Sequence, residues 1–389
     1  AIPTTLIRDV RGKGLWVGVD IDPTKAKARA IVERLAQKGV LSKETHETVI
    51  RFAPPLTITK QDLDWALDQF EQTLAEFEPA QVAPAKSESS LSASPPSFAR
   101  LMLSAPDFFE VSYAINPWMD PKFWSIEAER LAQDAKTGWN KLKSMYESLG
   151  VTTELMPPVQ GQPDMVFTAN SAFVLDGKVL LASYLHKERQ GEEAHGRAMF
   201  DALKQRGVLQ SLHQTPEGVY FEGAGDAIWD AARGIVWMGY GQRSSQEASK
   251  SVRDLFHVPT VSLKLTSSRF YHLDTCFCLL SGGEVIYWPE AFDEAGRKLL
   301  QEVLGDKLIE AGEEDTSHLG LNSVCLDKDV VMCYCSNALR DRLEKLGYRV
   351  HVVDLGSFNR SGGAAYCLTL RLDNRSTAGV DQRQLAKAA

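Results

Sequence analysis

The stretch AFVLDGKVLLAS, residues 172–183, places an apolar run on each side of Asp176-Gly177. An Asp-Gly pair supplies the positive φ angles that a two-residue turn requires, so the stretch predicts an antiparallel hairpin. The same arrangement returns at residues 227–238 around Arg233-Gly234, at 277–288 around Gly282-Gly283, and at 324–333 around residues 327–329. A segment of helical period follows each hairpin, at residues 192–204, 245–256, 291–304 and 337–346. A longer helical stretch, 124–149, precedes the first hairpin, and residues 366–372 begin a further strand. A hairpin-plus-helix unit returning every ~40–55 residues predicts an α/β propeller-like ring and not a doubly wound sheet. Such a ring converges its strands on a central channel, where residues distant in sequence meet.

Outside this repeating region the chain changes character. Residues 1–78 read as a small α+β lobe, with two short strands broken by Gly12 and Gly14, a helix over 23–38, a strand over 49–52 and a helix capped by Thr59. Residues 79–99, rich in Pro, Ala and Ser, read as a flexible linker. The repeating domain then spans 100–374, followed by a polar tail over 375–389. The opening at Ala1, without Met and already in an apparent strand, predicts a truncated or processed start.

The net charge of −8 offers no basic footprint for nucleic acid. No apolar run has the length needed to cross a bilayer, so no membrane partner is expected. Six cysteines in 389 residues do not make a small-secreted disulfide framework. The expectation is a reduced, cytoplasmic protein. Cys276/Cys278 and Cys333/Cys335 have C-x-C spacing on strand-like runs, but zinc sites ordinarily use C-x-x-C, and no metal is assigned.

Four islands carry polar residues beside the hairpins. PDMVFTANSAFV holds Asp164 and Asn170; FEGAGDAIW holds Glu222 and Asp226; FYHLDTCF holds His272 and Asp274, which alternate with Leu273 and so should share one face of a strand. The fourth, SGGAAYCLTLRL at 361–372, presents Cys367 on an apolar run directly after a Gly-Gly bend. Each has a plainer reading alone: Cys367 as a buried strand cysteine, His272 as a satisfied core histidine, Glu222 as a turn cap, Asp164 as a turn residue after Pro163. Together they supply a thiol, an imidazole and several carboxyl or amide groups. That is a complete set for covalent catalysis, with Cys367 as nucleophile, His272 as acid/base and a carboxylate to orient it. The surplus of acid suits a cationic small molecule.

The H-x-D, E-G-x-G-D and GG-x-x-x-C islands, in this order over residues 100–374, resemble the guanidine-modifying superfamily, or penteins: arginine deiminases, dimethylarginine hydrolases, amidinotransferases and arginine dihydrolases. The resemblance implies a pseudo-fivefold α/β propeller and a guanidino substrate such as L-arginine. It implies Cys367, His272 and Glu222 as catalytic residues, Asp274 gripping the guanidinium, and Arg189 and Arg243 clamping the substrate carboxylate, with Asp164 and Asp226 in the substrate site. Where deiminases carry a second aspartate after "FTR", this chain reads FTAN with Asn170. It shares that Asn, and an "INPWM" run holding Asn116, with the arginine dihydrolases. An amide beside one carboxylate offers donor and acceptor to a neutral ureido group, so citrulline could react again to give ornithine.

The runs IRDVRGKGLWVGVDID and GVLSKETHETVIRFAPPLTIT resemble the C-terminal end of ornithine aminotransferases, which implicates Arg51 in holding a substrate carboxylate. The lysine and pyridoxal phosphate site of that family would lie ahead of residue 1, so transamination is not expected of this lobe. The hydrolase needs no cofactor, and a homo-oligomer is compatible with this reading. Rival outcomes are a deiminase or dimethylarginine hydrolase stopping at citrulline, an amidinotransferase, a ring that binds ligand without chemistry, or an aminotransferase fragment with a passenger domain.

Overall fold

A computed structural model of the chain describes residues 6–77, apart from 14, 39, 46 and 56, and residues 99–376. The expected linker and tail lie outside the described residues, save for 99, 375 and 376. The chain forms two compact units that part at residues 93/94.

In the first unit, Ile7–Lys13, Trp16–Ile21, Val49–Phe52 and Lys43–Thr45 lie in that order across an antiparallel sheet. Gly12 does not break the first strand as expected. It lies within it, where a side chain would strike the Trp16 carbonyl oxygen. The first helix runs Ala28–Gln37 and not from residue 23, because Asp22 holds residues 24–26 in a turn: its carboxylate accepts from Thr24 N at 3.0 Å and its carbonyl from Lys25 N and Ala26 N. The second helix, Lys60–Phe77, begins where Thr59 Oγ1 accepts from Asp62 N at 3.1 Å. Ile21, Ile31, Leu35, Ile50, Phe70 and Leu74 form the core between sheet and helices.

The second unit contains five three-stranded sheets of one design. In four, a hairpin takes a third strand parallel to its second: Ala172–Leu175/Lys178–Leu181 with Ser211–His213, Ala227–Asp230/Ile235–Tyr240 with Thr260–Lys264, Phe277–Leu279/Val285–Tyr287 with Leu308–Glu310, and Val324–Leu326/Asp329–Met332 with Arg349–Val352. The helices Glu192–Gln205, Ala248–Phe256, Glu294–Leu304 and Asn337–Lys345 make the crossovers, since a parallel return needs a long connection. The fifth sheet unites distant parts of the chain. Leu370–Arg371 pairs antiparallel with Arg100–Ser104, which pairs parallel with Thr152–Met156.

The helical stretch 124–149 is two helices, Pro121–Ile126 and Ala128–Ser148, interrupted at Glu127. The longer one buries Leu131, Ala135, Trp139, Leu142 and Tyr146, the i, i+4, i+8, i+11, i+15 face of an amphipathic helix. Tyr366 packs against three of the apolar clusters, which marks it as central to the unit. Among the described residues, no helix is long and apolar enough to cross a membrane.

Candidate active site

The first three hairpins are each entered through short 3-10 turns: Pro163–Val166 and Thr168–Ser171 before the first, Gly223–Gly225 before the second, Leu273–Thr275 before the third. His272 and Asp274 therefore do not alternate along a strand. His272 caps the third turn and Asp274 lies inside it, where successive side chains step around at about three per turn. Cys367 likewise is not on a strand. Residues 365–368 form a turn, with Leu368 N donating to the Ala364 carbonyl at 3.1 Å and Thr369 N to that of Tyr366 at 2.9 Å, and the strand starts only at Leu370.

These turns gather the expected groups into one buried cluster. His272 and Glu222 are fully buried, and His272 Nε2 lies 2.8 Å from Glu222 Oε2. Arg243 Nη1 donates to the same oxygen at 3.0 Å, and its Nη2 to the Ile115 carbonyl at 3.1 Å. Burial alone would raise the Glu222 carboxyl, but Arg243 and His272 outweigh it and hold the group well below the usual range. An ionised Glu222 can only accept, so Nε2 is the donor of this bond. Nδ1 lies 3.5 Å from Asn170 Nδ2.

The Cys367 thiol, 1% exposed, donates to Asp274 Oδ2 at 3.1 Å. Burial lifts the Asp274 carboxyl to about 7, and Asp274 Oδ1 has no hydrogen-bond partner. Burial, reinforced by that carboxyl, raises the thiol well above its ordinary value. The cluster thus holds a proton between sulfur and carboxyl in the absence of an external cation, with one carboxyl oxygen free to accept.

Around this centre the remaining expected residues act on one another. Arg189 donates to Asn170 Oδ1 at 2.9 Å and to both Glu192 oxygens at 2.8 Å. Burial opposes its charge, but Glu192 prevails and keeps it protonated. Asp164 accepts from Tyr113 Oη at 2.9 Å and Ser361 Oγ at 3.2 Å. Half-buried Asn116 donates to the Ser361 carbonyl at 3.0 Å, which braces the glycine bend ahead of Cys367. Asp226 accepts from Leu273 N at 3.1 Å, supporting the His272–Asp274 turn from behind, and its second oxygen is unpartnered. Arg189 and Arg243, expected as clamps for a substrate carboxylate, are engaged with internal carboxylates.

Sequence reasoning missed Asn322. It is fully buried and touches both Cys367 and Asp274. One signal was available: the Asn-Ser pair just ahead of a hairpin occurs both at Asn170-Ser171 and at Asn322-Ser323.

The other cysteines stand apart. Each of Cys276, Cys278, Cys333 and Cys335 lies against a backbone carbonyl, and Cys276 and Cys278 belong to different apolar clusters, so the C-x-C thiols do not share one surface. Among the described residues no group of three or more His, Cys, Asp or Glu could hold a metal ion. A cavity of about 230 Å³ is lined by the turn ends of the hairpins, including Asp230, Ser281 and Asp327, and by Tyr366, but contains none of the charged cluster. In the first unit Arg51 is exposed on its strand. Lys13, Lys25, Lys27 and Lys43 are exposed too, and Lys38 pairs with Glu76 at 2.7 Å.

Residues 110–373 match the family described as N,N dimethylarginine dimethylhydrolase, eukaryotic, and residues 3–74 match the class-III aminotransferases. The chain is 36% identical over 291 residues to the bifunctional arginine dihydrolase/ornithine cyclodeaminase ArgZ of Synechocystis sp., an alignment covering 73% of this chain and 40% of ArgZ. It thus spans about two fifths of that relative's length. It is 53% identical over 74 residues to ornithine aminotransferase of Bacillus subtilis, covering 19% of this chain and 18% of that protein. The crystal structure of the ArgZ N-terminal domain, a cysteine-to-serine variant bound to substrate, superposes with a TM-score of 0.65 at 35% identity over 72% of this chain and 99% of that one.

Proposed function

Since the chain belongs, through residues 110–373, to the N,N-dimethylarginine dimethylhydrolase family, we propose that it is a cysteine-dependent hydrolase that carries L-arginine through citrulline to ornithine. The observation that carries this reading is the contact of Cys367 Sγ with Asp274 at 3.1 Å, in one buried cluster with the 2.8 Å His272–Glu222 pair. A guanidinium entering beside Asp274 brings the positive charge that the cluster lacks. It draws Asp274 into its ionised form and lowers the thiol pKa, and the thiol proton passes to His272 Nδ1, so the cation itself switches on the nucleophile.

The thiolate then bonds to the guanidinium carbon, and the C–N bond to the departing nitrogen breaks as ammonia takes a proton from His272. Neutral His272 next removes a proton from water, whose oxygen bonds to the same carbon as the C–S bond breaks. Arginine and water have become citrulline and ammonia. A second cycle on the ureido carbon consumes another water and releases ornithine, carbon dioxide and ammonia. Asn170 favours this second cycle, because its amide presents a donor and an acceptor to a neutral ureido group. No bond in either cycle requires a cofactor.

We read the five like sheets as blades of a pseudo-fivefold propeller. The pairing of Leu370–Arg371 with Leu101–Met102 supports closure of the ring. Residues 1–78 are read as the closing lobe of an ornithine aminotransferase, with Arg51 as its carboxylate contact. ArgZ is named for a dihydrolase joined to an ornithine-consuming activity, and this chain joins the same domain type to a segment resembling a different ornithine enzyme. Product analysis with L-arginine tests the reading: ornithine and two equivalents of ammonia are expected, and Cys367→Ser should abolish both. Citrulline as the sole end product would reduce the protein to a deiminase.

A further inference from the structure

We propose that Asn322 is a catalytic residue of this site: its side-chain amide donates to the Cys367 sulfur and steadies it as the attacking anion, while its side-chain oxygen fixes the turn that presents that sulfur. The inference rests on the cysteine chemistry proposed above. Asn322 Nδ2 lies 3.1 Å from Cys367 Sγ and 3.2 Å from the Asp274 carbonyl oxygen. Asn322 Oδ1 accepts from Ala364 N at 2.9 Å and Cys367 N at 3.0 Å.

Both amide hydrogens and both acceptor positions are thereby used, and the arrangement has one orientation only. Turning the amide over would set its NH₂ against two backbone N–H donors and leave the sulfur facing an oxygen. The donor aimed at sulfur is therefore dictated by the backbone around Cys367, from a residue 45 positions away.

The choice of an amide has a chemical reason. A lysine or arginine against the sulfur would stabilise the thiolate more strongly, but it would also repel an incoming guanidinium in a site that excludes water. An amide N–H stabilises the anion while adding no net charge. It fits a centre whose reactants are one anion and one cation and whose arginines are already paired, Arg243 with Glu222 and Arg189 with Glu192.

The test is the pH dependence of Cys367 alkylation by iodoacetamide in the full chain, followed by mass spectrometry of the Cys367 peptide, with arginine turnover measured in parallel. Asn322→Ser, too short to reach the sulfur, removes the donor without setting a new charge beside it. The midpoint of alkylation should rise by about one to two pH units, and kcat/KM for arginine should fall about 10- to 150-fold, the range for losing one hydrogen bond to a charged group. Should Asn322→Ser not fold, Asn322→Ala, likewise without a donor to sulfur or a charge, carries the same expectation. A residue that merely braces the fold would lower the melting temperature and leave the midpoint in place; a midpoint within 0.3 units of wild type, roughly a twofold change, overturns the proposal. Alkylation needs no turnover. A wild-type protein inert toward arginine whose variant still shows the shift would therefore sink the arginine reading and leave the role of Asn322 standing.

Discussion

Glu222→Gln is the most informative single change, because it removes a charge while preserving shape. Glu222 is fully buried, and one of its oxygens serves both Arg243 at 3.0 Å and His272 at 2.8 Å. The substitution leaves the Arg243 guanidinium, itself 3% exposed, without its counter-charge, and removing one partner of a buried ion pair costs about 3–5 kcal/mol. The sign of the pH dependence follows from the depressed carboxyl. The folded-state value lies below the ordinary 4.5, so the stabilisation is complete above about 4.5 and drains away as pH falls through the folded value. Urea unfolding followed by tryptophan emission is the assay. Trp139, Trp229 and Trp237 are buried in the second unit, whereas Trp16 and Trp65 of the first are 61% and 48% exposed, so the emission change reports mainly on the second unit. Wild type should exceed the variant by about 3–5 kcal/mol at pH 7, and the gap should narrow below pH 4.5. Turnover should fall about 10²- to 10⁴-fold, as for loss of an oriented acid/base. A gap under about 1 kcal/mol, no more than an exposed ion pair contributes, would refute the reasoning, as would a gap that does not change with pH or turnover within a factor of about three, under 1 kcal/mol of barrier.

Three further changes probe the same centre. Asp274→Asn should be more stable than wild type at pH 8 and no more stable at pH 3, because burial raises this carboxyl from 3.8 to about 7 and charging it costs stability as pH rises through that window; activity should be lost, and equal stability curves would count against the assignment. Asn170→Asp should retain the first cycle and slow the second, lowering the ornithine-to-citrulline ratio at least about tenfold, the effect of one mismatched hydrogen bond; chromatographic product ratios identical to wild type would exclude a role for the amide. Gly225→Ala sets a Cβ 2.5 Å from Asn170 Nδ2 and 3.2 Å from His272 Nδ1, so turnover should drop about 10²-fold by misplacement of the imidazole. Steady-state kinetics unchanged in that variant would mean that the imidazole position is not critical.

Much of the second unit was legible because its hairpins are local. Asp176-Gly177 and Gly282-Gly283 announce turns from their own chemistry, and all four expected hairpins lie where the turn residues put them. The third strands escaped notice for the opposite reason. Ser211–His213 and Leu308–Glu310 have three residues each, too few for an alternating pattern, and owe their extended form to a parallel neighbour. Cys367 shows the same limit at the site: the alternation in YCLTLRL favours a strand, but Asn322, in the bend ahead of the Val324–Leu326 strand, holds the segment in a turn. The residue types that meet in the buried cluster could be read from their islands. That Arg243 would pair with Glu222 could not, since 21 residues separate them and neither spacing nor composition encodes the contact.

The strand that pairs with Leu101–Met102 begins at Leu370, three positions beyond Cys367. During synthesis, every group proposed to grip a guanidinium emerges before the sulfur that would attack it. At about 5–20 residues per second, the interval between the first strand of this unit and its nucleophile is roughly 15–50 s. On the proposed mechanism, a nascent or prematurely terminated chain that lacks Cys367 has no sulfur to attack a bound guanidinium. The proposed nucleophile and the strand that pairs with Leu101–Met102 arrive within the same few residues, so the sulfur and the pairing that completes its sheet are made together.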